Sequence, residues 1–256
     1  MIAECLLIRD ENHLLLEHLV CNAVAGVEHF FIYDNMSRVP VIDFLRENAR
    51  ELLNVCTITQ YHSNNNLQLD CYADYLAEHR HVDWTVFCDT DECFTGNIRD
   101  AVAEFGDRYN CLSFSPILHG CNGHLHRPSG GIMQELYGGD ILSRAHDWYK
   151  VCARTADIET EHVHYNIMRN KKMLHLTADT YPHCVLHHYR FRSLEDYIVK
   201  MQRGTCLVEC SYHTMNDFFM LHKDIRPDNP EVVALMQRYN VNLNFAQKYC
   251  NNILSG

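Results

Sequence analysis

The sequence lacks any stretch that approaches the roughly 20 consecutive apolar residues of a membrane-spanning helix. Its first residues, Met1–Arg9, also lack the basic segment and the long apolar run of a secretory signal peptide, so we expect no such peptide. Basic residues are few: 22 stand against 33 acidic residues, which gives a formal net charge of −11. This balance argues against a general nucleic-acid-binding protein, which needs a basic surface. A local basic pocket for an anionic ligand remains compatible with this net charge.

The thirteen cysteines include no C-x-x-C pair and show no disulfide-framework spacing. An odd number of scattered cysteines favours reduced thiols. Together with the absence of a signal sequence, this pattern predicts a cytoplasmic protein without a transmembrane segment. Peripheral contact with a membrane surface stays open.

The first half of the chain alternates predicted strands and helices, which is typical of an α/β fold with a mostly parallel sheet. The predicted strands are Ala3–Ile8, Glu28–Tyr33, Val55–Gln60 and Trp84–Cys88. The predicted helices between them are Asn12–Val24, a segment that begins near Pro40, and Leu67–Arg80. Because no linker or repeat interrupts the sequence, we expect a single domain over residues 1–256.

The pattern changes after Asp91. We predict a helix over Ile98–Phe105, a strand over Asn110–Ser115 and a long Gly-rich loop over Pro116–Asp140. The remaining predicted strands are Lys150–Arg154, Met173–Leu176 and Val185–Tyr189, and the remaining predicted helices are Ser193–Arg203, with Ser193 as N-cap, Pro230–Tyr239 and Phe245–Leu254.

The most informative segment is Trp84–Glu92, in which an apolar run of strand length ends in three carboxylates. Carboxylates at the carboxyl end of a buried parallel strand lie where open α/β sheets bind ligands. If the chain stays extended there, Asp89 and Asp91 point the same way. Oxygen ligands of this kind suit Mg²⁺ or Mn²⁺, and Mg²⁺ is usually held by one or two carboxylates plus substrate phosphates. The segment therefore predicts a metal-bridged diphosphate site.

Several ordered blocks resemble the GT-A glycosyltransferases, in particular the group around glycosyltransferase family 92 and its family 2-like relatives. The resemblance covers roughly residues 1–205. Its blocks are Leu7–Asn12, Gly26–Ser37, Trp84–Phe94, Lys150–Arg154, His162–His164, His188–Tyr197 and Lys200–Gly204. It implies a Rossmann-like GT-A fold, with a nucleotide-binding half over about residues 1–95 and an acceptor-side half over about residues 96–256.

The resemblance implies a metal-dependent, inverting transferase that moves a sugar from a UDP- or GDP-sugar to a hydroxyl of a glycan or glycoconjugate. Asp89, Asp91 and His188 are the predicted ligands of Mn²⁺ or Mg²⁺. The predicted contacts with the nucleotide sugar are Arg9, Asp34, Asp89, Lys200 and Arg203. The candidates for the catalytic base are Glu135 and Asp140, with His162 and His164 as alternatives.

Two other functions stay open. A sugar nucleotidyltransferase needs a Gly-rich, basic loop after the first strand, whereas this chain has Arg9–His13 without glycine. A non-catalytic carbohydrate-binding protein with the same fold would keep the architecture without a base.

Overall fold

The computed structural model describes residues 1–63, 67–144, 147–160, 162, 164, 167–204 and 214–245. The chain forms two compact units. The first unit consists of residues 1–63, 67–117 and 144–188, and the described residues of the second lie within 118–143 and 189–245. Each unit is described by itself below.

In the described part of the chain, thirteen strands and eight α-helices follow one another. The strands are β1 (Ile2–Ile8), β2 (His29–Asp34), β3 (Cys56–Gln60), β4 (Trp84–Phe87), β5 (Glu92–Gly96), β6 (Cys111–Phe114), β7 (Ile117–His119), β8 (Ile141–Ser143), β9 (Lys150–Arg154), β10 (Ile158–Thr160), β11 (Ile167–Met168), β12 (Met173–Leu176) and β13 (Cys184–His188). The helices are α1 (Asn12–Val24), α2 (Val41–Asn48), α3 (Leu67–His79), α4 (Ile98–Phe105), α5 (Ile132–Leu136), α6 (Leu194–Arg203), α7 (Met215–Leu221) and α8 (Pro230–Arg238).

A seven-stranded sheet of order β12-β6-β9-β4-β1-β2-β3 forms the centre of the first unit. Neighbouring strands are parallel except at β9, which runs antiparallel to both β4 and β6. The mixed α/β fold with a mostly parallel, helix-flanked sheet is therefore confirmed. Outside this sheet, β5 pairs with β13 in antiparallel register and places Glu92 opposite His188.

Successive side chains of β2 point to opposite faces of the central sheet and enter two different core clusters. Phe30 and Ile32 of β2 belong to one core cluster, which also contains Leu15 of α1. Phe31 of β2 belongs to a second cluster, which contains Tyr72 of α3. Helices therefore cover both sides of the sheet, and its free carboxyl edge is left for the loops that follow the strands.

The predicted elements of the first unit agree with the structure within one residue at most boundaries. The long loop predicted over Pro116–Asp140 is wrong, because that segment contains β7 and the short helix α5, both with buried apolar side chains. The sequence analysis also missed α7, whose capping box of Thr214 and Asp217 was a readable signal. The helix predicted over Phe245–Leu254 lies almost entirely outside the described residues.

The second unit has a core of its own, which α6, α7 and α8 share. Its buried residues include Ile198, Phe218 and Leu235. In this unit Leu118 and His119 pair with Ser143 and Ile141 of β8. Within the described ranges, none of the helices has the length and apolar character needed to span a bilayer.

Candidate functional site

The acidic segment after β4 forms a tight turn. The backbone N–H of Glu92 donates to the carbonyl of Asp89 at 3.0 Å, and the Glu92 carboxylate in turn accepts a bond from the Asp89 N–H at 3.0 Å. The expectation of an extended chain at this point is wrong, because the chain reverses here to begin β5. Asp89 and Asp91 therefore meet different partners instead of sharing one side of a strand.

Asp89 is bonded through both carboxylate oxygens. Its Oδ1 accepts from the Gln68 side chain of α3 at 3.0 Å, and its Oδ2 accepts from the Lys150 Nζ at 2.8 Å. Lys150 Nζ also lies 3.5 Å from Glu92 Oε2, and its side chain is fully buried. Burial alone would raise the pKa of Asp89, but the Lys150 ammonium outweighs it and holds that pKa below its ordinary value.

Lys150 reaches this position because of the sheet topology. It is the first residue of β9, which runs antiparallel to β4, so the amino end of β9 lies beside the carboxyl end of β4. The sequence analysis placed Lys150 in a block of the family resemblance but gave it no role. A lysine at the start of a strand is usually exposed to solvent, so nothing in the neighbouring sequence predicted that Lys150 is buried beside the acidic turn.

Asp91 and His188 lie close together, and their role as metal ligands stays a prediction. His188 Nε2 lies 3.7 Å from Asp91 Oδ1, and His188 Nδ1 lies 3.7 Å from Glu92 Oε1. The pairing of β5 with β13 produces this contact across 97 residues of sequence. Burial raises the pKa of Glu92 to about 8, and the neighbouring Asp89 and Asp91 carboxylates add to that rise against the pull of Lys150.

A buried polar network lies behind the turn. His18 of α1 donates from Nδ1 to the Glu92 carbonyl at 2.8 Å and from Nε2 to Glu4 Oε1 at 2.5 Å. Asn22 donates to Glu4 at 2.9 Å and accepts from the Phe94 N–H at 2.9 Å. Burial lowers the pKa of His18, but the Glu4 carboxylate outweighs it, so the net direction is upward. The network fixes α1 to the start of β5 and so holds the acidic turn in place.

The neighbouring loops at the same edge are also held by side chains. Asp34, at the end of β2, accepts bonds from the backbone N–H groups of Ser37 and Val41 and from the side chain of Gln60, at 2.8 to 3.0 Å. Asp34 therefore shapes its own loop, and its predicted contact with a nucleoside stays a prediction. Arg9 follows β1 directly and is half-buried at this edge.

His162 and His164 lie near the charged residues of the turn. His164 stacks on Trp148 with 6.5 Å between ring centroids, and its backbone N–H donates to His162 Nδ1 at 3.2 Å. Burial, aided by the positive charge of Lys150, lowers the pKa of His164 to about 4, and the same causes lower the pKa of His162. Both histidines are therefore neutral near pH 7, the protonation state that a general base requires.

The other predicted residues belong to the second unit. Glu135 is exposed on α5 and accepts from the Gly130 N–H at 2.8 Å, so it closes its own loop. Asp140 is exposed and lines a pocket of about 250 Å³. The rest of that lining is Cys121, Asn122, Gly123, His222, Asp224 and Ile225. Lys200 and Arg203 lie in the last turn of α6, one helical turn apart. The roles of these four residues stay predictions.

The predicted metal ligands fit a divalent cation only in part. Among the described residues, no group of three or more His, Cys, Asp or Glu side chains is arranged to hold a metal ion. Asp91 and His188 supply one carboxylate and one imidazole close together. Such a pair suits a metal that takes its remaining ligands from substrate phosphates. Asp89 fits less well because the Lys150 ammonium is bonded to it.

Solved structures similar to this chain show low identity. S. aureus TarS 1-349 in complex with UDP-GlcNAc is 11% identical, with a TM-score of 0.46, and the match covers 94% of this chain and 68% of that one. GalNAc-T7 with UDP, GalNAc and Mn²⁺ is 10% identical, with a TM-score of 0.46, and the match covers 94% of this chain and 55% of that one.

A protein from Bacillus anthracis, described as a glucose-1-phosphate thymidylyltransferase and bound to sucrose, is 12% identical with a TM-score of 0.38. That match covers 60% of this chain and 72% of the other. No protein-family model and no curated protein matches the sequence. Because the three TM-scores lie below 0.5, these likenesses carry no argument about the residues of the site.

Proposed function

We propose that the protein is a GT-A glycosyltransferase, which moves a sugar from a nucleotide-diphosphate donor to an acceptor hydroxyl. The observation that carries the proposal is the acidic turn at the carboxyl edge of β4, where His188 from β13 and Lys150 from β9 contact its three acids, Asp89, Asp91 and Glu92. The sequence resemblance to this class of enzymes covers the same blocks.

A diphosphate is an anion, and an acidic turn binds it only through cations. A divalent metal, when bound by Asp91 and His188, would neutralise charge on the departing nucleoside diphosphate. The contacts of Lys200 and Arg203 with the phosphates are kept as expectations from the sequence. In this reaction the bond between the anomeric carbon and the diphosphate oxygen breaks, and a bond from the acceptor oxygen to that carbon forms.

The acceptor hydroxyl loses its proton in this step, so a base is needed on the acceptor side. We keep Glu135 and Asp140 as the candidates, with the neutral His162 and His164 as alternatives. Inversion at the anomeric carbon, a hexosyl donor, a glycan or glycoconjugate acceptor and a cytoplasmic location complete the proposal as expectations from the sequence.

A thermal-shift screen of UDP-, GDP- and dTDP-sugars, each with and without Mn²⁺, tests donor binding. A donor that binds only the native state at a hundred times its Kd adds about 2.7 kcal/mol of stability. We expect the shift with one nucleotide sugar to depend on Mn²⁺ and to be lost in Asp91→Asn. The matched control is Asp43→Asn, an exposed acid on α2 that pairs with Arg46.

The reaction itself is tested by incubating that donor with hydroxyl-bearing acceptors and measuring released nucleoside diphosphate and glycosylated product. Release of the diphosphate with product supports transfer. Formation of a nucleotide sugar from a sugar phosphate and a nucleoside triphosphate would instead establish a nucleotidyltransferase. If sugars bind but no turnover occurs, the protein is a binding protein. If no nucleotide sugar shifts the unfolding temperature in either condition, the proposal is wrong.

A further inference from the structure

Lys150 carries the further inference, because its ammonium lies where the sequence analysis expected a metal. Its side chain is fully buried at the amino end of β9, and Nζ lies 2.8 Å from Asp89 Oδ2 and 3.5 Å from Glu92 Oε2. The ammonium is thus enclosed by the side chains of Asp89 and Glu92, and its shorter contact is with Asp89. The position of a cation beside Asp89 is therefore filled by the protein itself.

The orientation of Asp89 supports the same conclusion. Its second oxygen accepts from Gln68, which is buried on α3 and donates as well to the Tyr72 hydroxyl at 2.9 Å. Two buried donors from α3 and β9 thus hold the two oxygens of one carboxylate. A divalent ion at Asp89 would have to displace the ammonium or bind on the part of the carboxylate that is exposed to solvent, which is 38% of the side chain, and there it would meet the repulsion of the ammonium.

Asp91 is placed differently. It lies beside His188 of β13. Glu92 contacts His188 through one carboxylate oxygen and Lys150 through the other. The outer two acids of the turn therefore have different main partners. Asp89 is bonded to Lys150, whereas Asp91 lies beside His188, and a carboxylate and an imidazole are both common metal ligands.

We propose that the Lys150 ammonium is the resident cation of the acidic turn, that it occupies Asp89 in place of a divalent metal, and that a metal bound at this turn is held by Asp91 and His188 without Asp89. Lys150 is thus a positioning residue: it holds Asp89 and Glu92, and it limits where a divalent ion can bind. This deepens the proposed function by naming the carboxylate that would meet a metal-bound diphosphate.

Mn²⁺ binding measured by calorimetry, and by the paramagnetic resonance signal of free Mn²⁺, tests the inference on the full chain without nucleotide. Asp91→Asn should weaken Mn²⁺ binding by about tenfold or more, as loss of a ligand does, and Asp89→Asn should weaken it clearly less. Equal losses in the two variants would overturn the proposal, because Asp89 would then be a ligand.

Replacing the lysine gives the second arm. Lys150→Met should raise Mn²⁺ affinity by about tenfold or more, since it removes a positive charge next to the carboxylates. Adding Asp89→Asn to that variant should abolish the gain. Lys150→Arg keeps the charge and is the matched control, with affinity close to that of the wild type. An unchanged or lower affinity in folded Lys150→Met would contradict the inference.

Lys150→Met leaves two carboxylates without their ammonium and can fail to fold, so circular dichroism and thermal unfolding accompany each variant. If it does not fold, the comparison of Asp89→Asn with Asp91→Asn in the wild-type background decides alone. Because these measurements contain no nucleotide, their outcome is independent of the thermal-shift screen with nucleotide sugars. This inference can therefore fail while the proposed function holds. If neither the wild type nor folded Lys150→Met binds Mn²⁺, the proposed metal site at Asp91 and His188 is wrong.

Discussion

Two acidic regions of the molecule contrast sharply. In the turn at residues 89–92, Asp91 and Glu92 are 3% and 1% exposed, and the partners of the three acids come from α3, β9 and β13. In the segment of residues 116–140, Glu135 and Asp140 are exposed, and Glu135 bonds a glycine five residues away. The first set of carboxylates is positioned by distant parts of the fold, whereas Glu135 closes only its own loop. Mutations in the two regions should therefore differ strongly in their effects on stability and on transfer.

The largest effect should come from the network that supports the turn. Glu4→Ala removes the buried carboxylate that bonds both His18 and Asn22 and leaves these two buried groups without that partner. Each buried polar group left without its partner costs about 1–3 kcal/mol of unfolding free energy, measurable by urea denaturation. Glu47→Ala, an exposed acid on α2, is the control and should change stability little. A loss below about 1 kcal/mol in Glu4→Ala would contradict the importance of this network.

The second unit should show its own dependence on buried groups. His119 is 2% exposed and stacks on Tyr189, with 4.5 Å between the ring centroids. Its burial lowers the pKa of the imidazole from 6.5 to about 4. A histidine whose pKa is depressed in the fold stabilises it fully above pH 6.5. That stability is lost as the pH falls from 6.5 towards 4, by up to about 3 kcal/mol.

The unfolding free energy of His119→Gln, measured across this pH range, should therefore fall less steeply than that of the wild type. His124→Gln, a half-buried residue of the same segment, is the matched control. Parallel curves for the wild type and His119→Gln would show that His119 does not cause the dependence.

The exposed acids Glu135 and Asp140 are the candidates for the catalytic base, a role that would distinguish them from the acids of the turn. If either is the base, Glu135→Gln or Asp140→Asn should reduce transfer by about 10²-fold or more, about 2.7 kcal/mol of activation free energy, while donor binding persists. The measurement is the rate of transfer relative to donor hydrolysis. Loss of transfer in only one variant identifies the base, and full activity in both directs attention to His162 and His164.

The smallest effect concerns stability in the same segment. Because Glu135 is exposed and its hydrogen bond is to the Gly130 N–H of its own loop, Glu135→Gln should change the unfolding free energy by no more than about 0.5 kcal/mol. A thermal unfolding curve checks this. A loss above about 1 kcal/mol would mean that the segment is held by this carboxylate more firmly than its exposure indicates.

Local patterns in the sequence were sufficient to place most elements of the first unit. The bounds of α1, α4, β9 and β12 coincide with the predicted ones, because apolar spacing and end signals such as Gly106 act within a few residues. The N-cap at Ser193 follows the same logic, since its side chain accepts from the Asp196 N–H three residues on. Where short apolar runs are flanked by glycines, as in α5, such signals are weak.

The sequence by itself determined the α/β class, the mostly parallel sheet and the acidic segment as a candidate site, because these depend on local periodicity and on residue type. The tertiary structure alone decided which partners the acids meet. The antiparallel position of β9 brings Lys150 to Asp89, and the pairing of β5 with β13 brings His188 to Asp91. Contacts between residues about 60 to 100 positions apart depend on strand order and register, which periodicity within one strand does not specify.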